Sequence, residues 1–340
     1  MYYCINYRIM ESSSTLPGAS RVTLQTPYRT PRLKFSLEQE LLTSNEESDT
    51  KTLKEIISLT WNIYGVSALF GFQYNDKTIL KLYGKRLREE IATNLSQENV
   101  AYDAHLSIIE NTISDTMRLP LLKVEVYAKK LDQENNVEKC IYIGFFLSLK
   151  TNNDLKADNS VKLPLLLCRG TRTCMNVVHS TFNRMFDCLI IALPIEQDDL
   201  MWLLPIIILP TSEEKYPNDT EEVRLEYLVP GLSTTNTITA KFSTLDLIKI
   251  LNAIMESQNN ETQIVMNLTI EHIQRFRECL QVQMKKIAGL ELGLCTLHRI
   301  SLPRGTLMDN KMKIMDPEIM KRVLLYMTEK SLDMLHALFL

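Results

Sequence analysis

Residues 182–210 constrain this chain more than any other stretch. Two apolar blocks, 189–195 and 200–209, flank a short charged segment made of Glu196, Gln197, Asp198 and Asp199. A membrane helix needs about 20 consecutive apolar residues. Each block is shorter than that, and the charge between them is dense. The pair therefore reads as two buried segments at the centre of a globular α/β body. Hydrophobic residues make up 45% of the 340 positions and charged residues 23%, an ordinary balance for such a body. The length suits one large domain or two.

The formal charge is −3, so no global field draws the chain to nucleic acid or to an anionic membrane, and any basic partner surface has to be local. Seven cysteines are scattered without CxxC pairs, behind an opening that lacks the apolar core of a secretory leader. That pattern predicts buried free thiols in a reducing compartment, and it makes the sequons at Asn94, Asn218, Asn260 and Asn267 coincidental. Met10 is an alternative start. Residues 1–50 form an expected disordered basic tail, with Arg21, Arg29, Arg32 and Lys34 and no acid between Ser12 and Leu37. Thr26-Pro27 and Thr30-Pro31 have the form of proline-directed phosphosites, although chance pairs in a solvated tail are the simpler reading. Phosphates there would cancel the charge of the arm.

Beyond the tail, periodicity assigns elements. Leu53, Ile56, Ile57 and Thr60 fall at helical spacing. A helix capped by Asp76 follows, with Ile79, Leu82, Tyr83, Leu87 and Ile91 on its inner face and Lys77, Lys81, Lys85, Arg86 and Arg88 outside, the usual make-up of a solvated face. The pattern then changes to period two: Tyr102, Ala104, Leu106 and Ile108 mark one strand, Leu122, Val124 and Val126 a second, and 140–149 a third. Lysines at 123, 129, 130, 139 and 150 make one sheet face basic if the register aligns them. A polar loop at 151–160 is the expected seam between an N-terminal half, 51–155, and a C-terminal α/β dimerisation half, 156–340. In the second half Thr171 or Thr173 caps a helix, a hairpin turns at Pro230-Gly231, Ser243 and Asp246 resemble a capping box, Thr269 and Gly289 bound a helix, and Asp316-Pro317 opens the last one. Residues 290–302 read as one long strand. Period-two segments outnumber crossover units, which predicts an α+β fold: a curved, mainly antiparallel sheet with helices packed on one side.

Few residues point to reaction chemistry. Cys168, Cys174 and His179, or Cys295 and His298, bring ligand types close, but neither set supplies four ligands at zinc spacing. There is no G-x-S-x-G, no Walker lysine and no GxGxxG. The acid pairs Asp198-Asp199 and Glu213-Glu214 are adjacent rather than opposed. Arg169 and Arg172 beside a helix start suit a phosphate, though a turn at Gly170 with a threonine cap explains the segment more simply. The expected catalytic, cofactor and metal sites are none, and the chain reads as a binding protein.

Three clusters resemble the centromere protein L family. The first is Trp61, Tyr64, Leu69, Phe72, Tyr74, Leu80, Tyr83 and Leu87. The second, the most specific, is Pro164, Leu165, Leu167, Gly170, Phe182 and Phe186-Asp187-Cys188, with Leu200 and Trp202. The third is Lys311, Lys313, Ile314, Leu325, Tyr326, Thr328 and Glu329. Val229-Pro230, Phe276, Cys279 and Leu280 match between them, so the likeness runs from about Trp61 to the end. The acidic turn at 196–199 departs from the family pattern. The resemblance implies a non-enzymatic nuclear scaffold of the inner kinetochore. On that likeness it would pair with centromere protein N, meet other inner-kinetochore subunits, and lend part of a basic groove to centromeric nucleosomal DNA. It implies no membrane, no small-molecule substrate and no cofactor. A free-standing DNA-binding homodimeric clamp, or an enzyme with an unrecognised site, is the rival from another class.

Two sets of site residues follow. Lys123, Lys129, Lys130, Arg169 and Arg172 are the candidate phosphate contacts. Residues 290–302, read as a strand of about 40 Å at roughly 3.3 Å per residue, form an expected sheet edge that a partner strand covers. Leu290, Leu292 and Leu294 face the core there, while Glu291, Cys295 and Arg299 face outward beside Leu297.

Overall fold

The computed structural model describes residues 55–114, 117–131, 138–148, 156–157, 160–209, 221–233, 235–256 and 267–338, with backbone pieces at 6–7 and 35–36. The basic arm with Thr26 and Thr30, Lys150, and most of the 151–160 loop lie outside the described residues. In chain order the main elements are β1 (Thr60–Val66), α1 (Lys77–Leu95), β2 (Val100–Ser114), β3 (Met117–Lys130), β4 (Lys139–Leu147), β5 (Leu165–Gly170), α2 (Arg172–Phe186), β6 (Ile190–Ala192) and α3 (Gln197–Ile208). Then come β7 (Glu222–Leu228), β8 (Thr237–Ser243), α4 (Thr244–Glu256), α5 (Ile270–Ala288), β9 (Thr296–Leu302), β10 (Gly305–Met308), β11 (Lys311–Ile314) and α6 (Pro317–Leu338). The fold is α+β, and its sheet pairings are antiparallel. No described helix is long and apolar enough to cross a membrane.

The chain divides into two compact units, Gln39–Pro194 with Asn310–Leu340, and Met1–Glu38 with Ile195–Asp309. The seam expected at 151–160 thus falls inside the first unit.

In that first unit the strands run β11-β1-β5-β4-β3-β2, and β6 also pairs with β1. Thr60, expected at the end of a helix, instead opens β1, because Trp61, Ile63 and Val66 are buried between two layers. Successive strand residues face opposite ways. The Tyr64 ring meets His179 of α2 at 4.6 Å. Its neighbour Gly65 lies so close to α6 that a Cβ there would stand 2.9 Å from Ser331 Oγ and from Met334 Cε. Helices therefore cover both faces of this sheet, correcting the one-sided expectation. Only the period of the final helix, not its place in the sheet, could be read from sequence. On the α1 and α2 side Phe182 stacks on Phe146 at 4.9 Å, and Phe186 meets Phe72 and Tyr83 edge-on at 5.1 and 4.9 Å. On the α6 side Trp61 packs edge-on against Phe145 and donates its indole N–H to Ile56 O at 2.6 Å. The inner face of α1 is Leu80, Gly84, Leu87 and Ile91, whereas Leu82 is exposed. Gly84 explains the rotation: a Cβ there would stand 2.7 Å from the Ala104 carbonyl oxygen, so the helix turns this residue onto β2.

In the second unit β8-β7-β9-β10 carry an inner layer of Val223, Leu225, Tyr227, Ala240, Phe242, Leu297, Ile300 and Leu307. The charged segment at 196–199, read as a turn between two buried segments, opens a helix. Glu196 and Asp199 form a reciprocal capping box at the start of α3, with the Glu196 N–H donated to Asp199 at 2.7 Å. Carboxylates are favoured there by the unpaired N–H groups and the positive helix end. Gln197 Oε1 accepts the Leu297 N–H at 2.9 Å and fixes the beginning of β9.

The 290–302 strand is the main correction. Leu292–Leu294 is a 3-10 turn, and β9 starts only at Thr296. It is no free edge: β7 bonds one side along the strand, and β10 takes the other over residues 299–302, with Gln197 accepting the Leu297 N–H before it. Leu292 is buried, but Leu294 is 72% exposed. Gly289 at φ 66° ends α5, and the chain needs the following turn to reach the sheet.

Cys168, Cys174 and Cys188 are buried free thiols, and burial pushes each up to about 12. His179, 8% exposed, is driven down to about 4 by burial. Its native form is therefore neutral at pH 7, while the unfolded chain takes up a proton near 6.5. Stability from this residue is complete above pH 6.5 and is lost as pH falls towards 4, by up to about 3 kcal/mol. Urea titrations across this window are expected to show a shallower acid-side decline in His179→Gln than in the wild type. Phe186→Ala and Trp61→Ala are each expected to cost about 3–5 kcal/mol, read as a lowered urea midpoint with an unchanged slope.

Candidate nucleic-acid interface

Of the five cations expected to meet phosphate, one is already committed. Lys123, in mid-strand on β3, places its Nζ 2.8 Å from Glu55 and 3.2 Å from Glu125, over the Phe145 ring, with 17% of its side chain exposed. Burial disfavours its charge, but hydrogen bonds to Glu55 and Glu125 outweigh that and raise its pKa above the ordinary lysine value. Removing it from these acids to reach a phosphate would leave two carboxylates facing a polyanion.

The other four gather at one end of the sheet. β3 and β5 each run antiparallel to β4, so their C-terminal ends point the same way. Lys129 and Lys130 close β3, Arg169 lies next to the end of β5, and Arg172 opens α2. Lys130, Arg169 and Arg172 are exposed and Lys129 is half-buried. None of the four has an ion pair with a described carboxylate. Thr171 caps α2 by accepting the Cys174 N–H at 3.4 Å, so the cap is a threonine as the simpler reading has it, and the arginines stay outside. Lys139, opposite Ala128 at the start of β4, joins the same end. The register does not make one basic face: Lys123 and Lys129 share a face, and Lys130 lies on the other.

Other charged groups around this sheet are paired. Tyr127 donates to Glu125 at 3.0 Å, which helps, after burial, to push the phenol up to about 12. Asp103 lies 3.3 Å from His105 and 3.9 Å from Arg88, and on the helices Arg184 pairs with Glu90 at 2.7 Å. Sequence reasoning missed Glu55 and Glu125 as partners of Lys123. The signal for Glu125 was present, since residues i and i+2 of a strand share a face.

The expected partner residues fall into two groups. Leu292 and Leu297 are buried within their own unit. Glu291, paired with Lys285 at 2.7 Å, and Leu294 are exposed, Leu290 and Cys295 are half-buried, and Arg299 meets Glu226 at 3.6 Å. The cavity beside Cys295, lined by Gln197, Tyr227, Arg277 and Leu292, is no larger than a single water. Cys168 Sγ lies 3.7 Å from His179 Nε2, and among the described residues no group of three or more His, Cys, Asp or Glu is placed to hold a metal ion.

The sheet of the first unit thus has helices on both faces, and four cations without a described ion pair lie towards one end of its strands. The family model described as centromere protein L matches residues 55–332, and the chain belongs to that family of centromere proteins. Centromere protein L of Bos taurus is 24% identical over 308 residues, covering 88% of this chain and 85% of the relative. The Homo sapiens protein of the same name is 22% identical, covering 84% and 83%. That of Xenopus tropicalis is also 22% identical, covering 93% and 90%.

Replacing Lys129, Lys130, Arg169 and Arg172 together by Ala is expected to weaken duplex DNA binding and to flatten its salt dependence, by up to about 0.9 in log–log slope for each lost phosphate contact. Lys123→Ala is expected to leave that slope unchanged while lowering the melting temperature. Fluorescence anisotropy across a salt series and thermal melts separate the two effects.

Proposed function

We propose that the protein is a non-enzymatic structural subunit of the constitutive inner kinetochore. In this reading it works in the nucleus at the centromere, paired with centromere protein N. The observation that carries the reading is the family match across residues 55–332. Contact with centromeric nucleosomal DNA is weak and electrostatic, through Lys129, Lys130, Arg169 and Arg172, because a net charge of −3 supplies no long-range attraction.

The partner surface belongs to the Ile195–Asp309 unit. Strand augmentation along β9 is not the mode, since β7 bonds one side and β10 and Gln197 take up most of the other. The turn before it supplies the contact instead. Leu294 is an exposed apolar anchor, Glu291, Leu290 and Cys295 surround it, Arg299 lies farther along, and Leu292 and Leu297 hold the turn from the core. An apolar side chain inserted into a partner pocket and rimmed by polar groups is the usual source of interface energy.

Co-expression with centromere protein N tests both levels. The wild-type chain is expected to co-elute with it at equal stoichiometry, and Leu294→Asp to lose the partner while keeping its own melting profile. Failure of the wild type to co-elute would refute the pairing itself. Unchanged co-elution of Leu294→Asp would refute this turn as the surface.

A further inference from the structure

β2 is the terminal strand of its sheet and runs for 15 residues, long enough to template pairing with another chain. At Ala104 this edge is closed from within. The Asp103 carboxylate accepts the Ala104 N–H at 2.8 Å. The Ala104 carbonyl oxygen lies against Gly84 of α1, where even a methyl group would stand 2.7 Å from it. The carboxylate is oriented in turn by His105 Nε2 at 3.3 Å and Arg88 Nη1 at 3.9 Å. Arg88 is one helical turn beyond Gly84, so the residue that lets the helix approach and the residue that steers the carboxylate share one face of α1. Antiparallel pairing needs an N–H and a C=O from the same edge residue, and here a side chain occupies one and a helix covers the other.

We propose that Asp103, steered by Arg88 and His105, is a lock that keeps the β2 edge from pairing with the β2 edge of a second copy of this chain. The energetic weight of such half-exposed ion pairs is small; their effect is on which pairings are allowed. The lock therefore acts on specificity of assembly and leaves the fold of the unit intact. It is independent of the kinetochore reading above, since it concerns only self-association.

The test uses the full chain and three proteins: wild type, Asp103→Asn and Asp103→Ala. Asn keeps an oxygen that can accept the Ala104 N–H, whereas Ala removes it. Sedimentation velocity over a hundredfold concentration range is expected to show one more order of self-association in Asp103→Ala than in wild type or Asp103→Asn. Hydrogen exchange at low concentration is expected to show the Ala104 amide at least tenfold faster in Asp103→Ala, with β3 amides unchanged, which also reports that the unit is folded. At high concentration the edge amides of Asp103→Ala regain protection. If Asp103→Ala shows the wild-type assembly state and wild-type Ala104 exchange, the lock does not exist. If Asp103→Asn associates as readily as Asp103→Ala, the carboxylate acts by charge alone and the amide-capping mechanism is overturned.

Discussion

Everything in the first unit depends on β1 meeting two demands within seven residues. Its backbone must bond β11 over residues 60–62, β5 over 62–65 and β6 over 64–66, because a buried backbone group left unpaired costs as much as a lost hydrogen bond. Its side chains must meanwhile fill two different layers, Asn62 and Tyr64 towards α2 and Trp61, Ile63 and Gly65 towards α6. Gly65 has no alternative at that crossing, since a Cβ would enter the contact with Ser331. The Ser331 hydroxyl then donates to Pro164 O, which also accepts the Val66 N–H, so the tight approach that excludes a side chain gives that carbonyl a second donor.

What could be read from the sequence was mostly local. Asp76, Thr171, Thr269 and Asp316 cap their helices as their residue types suggest, each accepting a backbone N–H of the first turn. The period-two runs became β2, β3 and β4, and the hairpin at Pro230-Gly231 joins β7 to β8. The failures were failures of context. Leucines alternating through 290–294 look like a strand, but a helix ending at Gly289 leaves the chain needing a turn. Glu196–Asp199 read as a short charged turn between two buried segments, and the positive end of a helix was the environment that welcomed them. At the candidate DNA surface, sequence singled out five cations, but packing commits Lys123 to Glu55 and Glu125, while Lys129, Lys130, Arg169 and Arg172 lie towards one sheet end.

The electrostatics of the chain follow from that division. Lys123 in mid-sheet is matched with Glu125 on β3, and Arg88 of α1 with Asp103 of β2. Lys129, Lys130, Arg169 and Arg172, towards the ends of β3 and β5, have no such match among the described carboxylates. A protein that is slightly acidic overall can thus present a local cationic rim, and screening over about 8–10 Å at physiological salt keeps the rest of its surface from cancelling it.

The order of the units along the chain governs how they are made. Residues 195–309 are inserted into a unit begun by β1 and finished only by β11 and α6. During synthesis the α6-facing surface of β1, with Trp61 and Ile63, is complete long before the helix that covers it has been translated. Native pairing of β1 with β11 closes a span of about 250 residues, the kind of long-range contact that slows folding. In the interval a nascent chain exposes an apolar sheet face, a state prone to aggregation, until α6 leaves the ribosome. A message truncated even shortly before α6 would therefore yield a chain with its inserted unit whole and its surrounding unit open on one side.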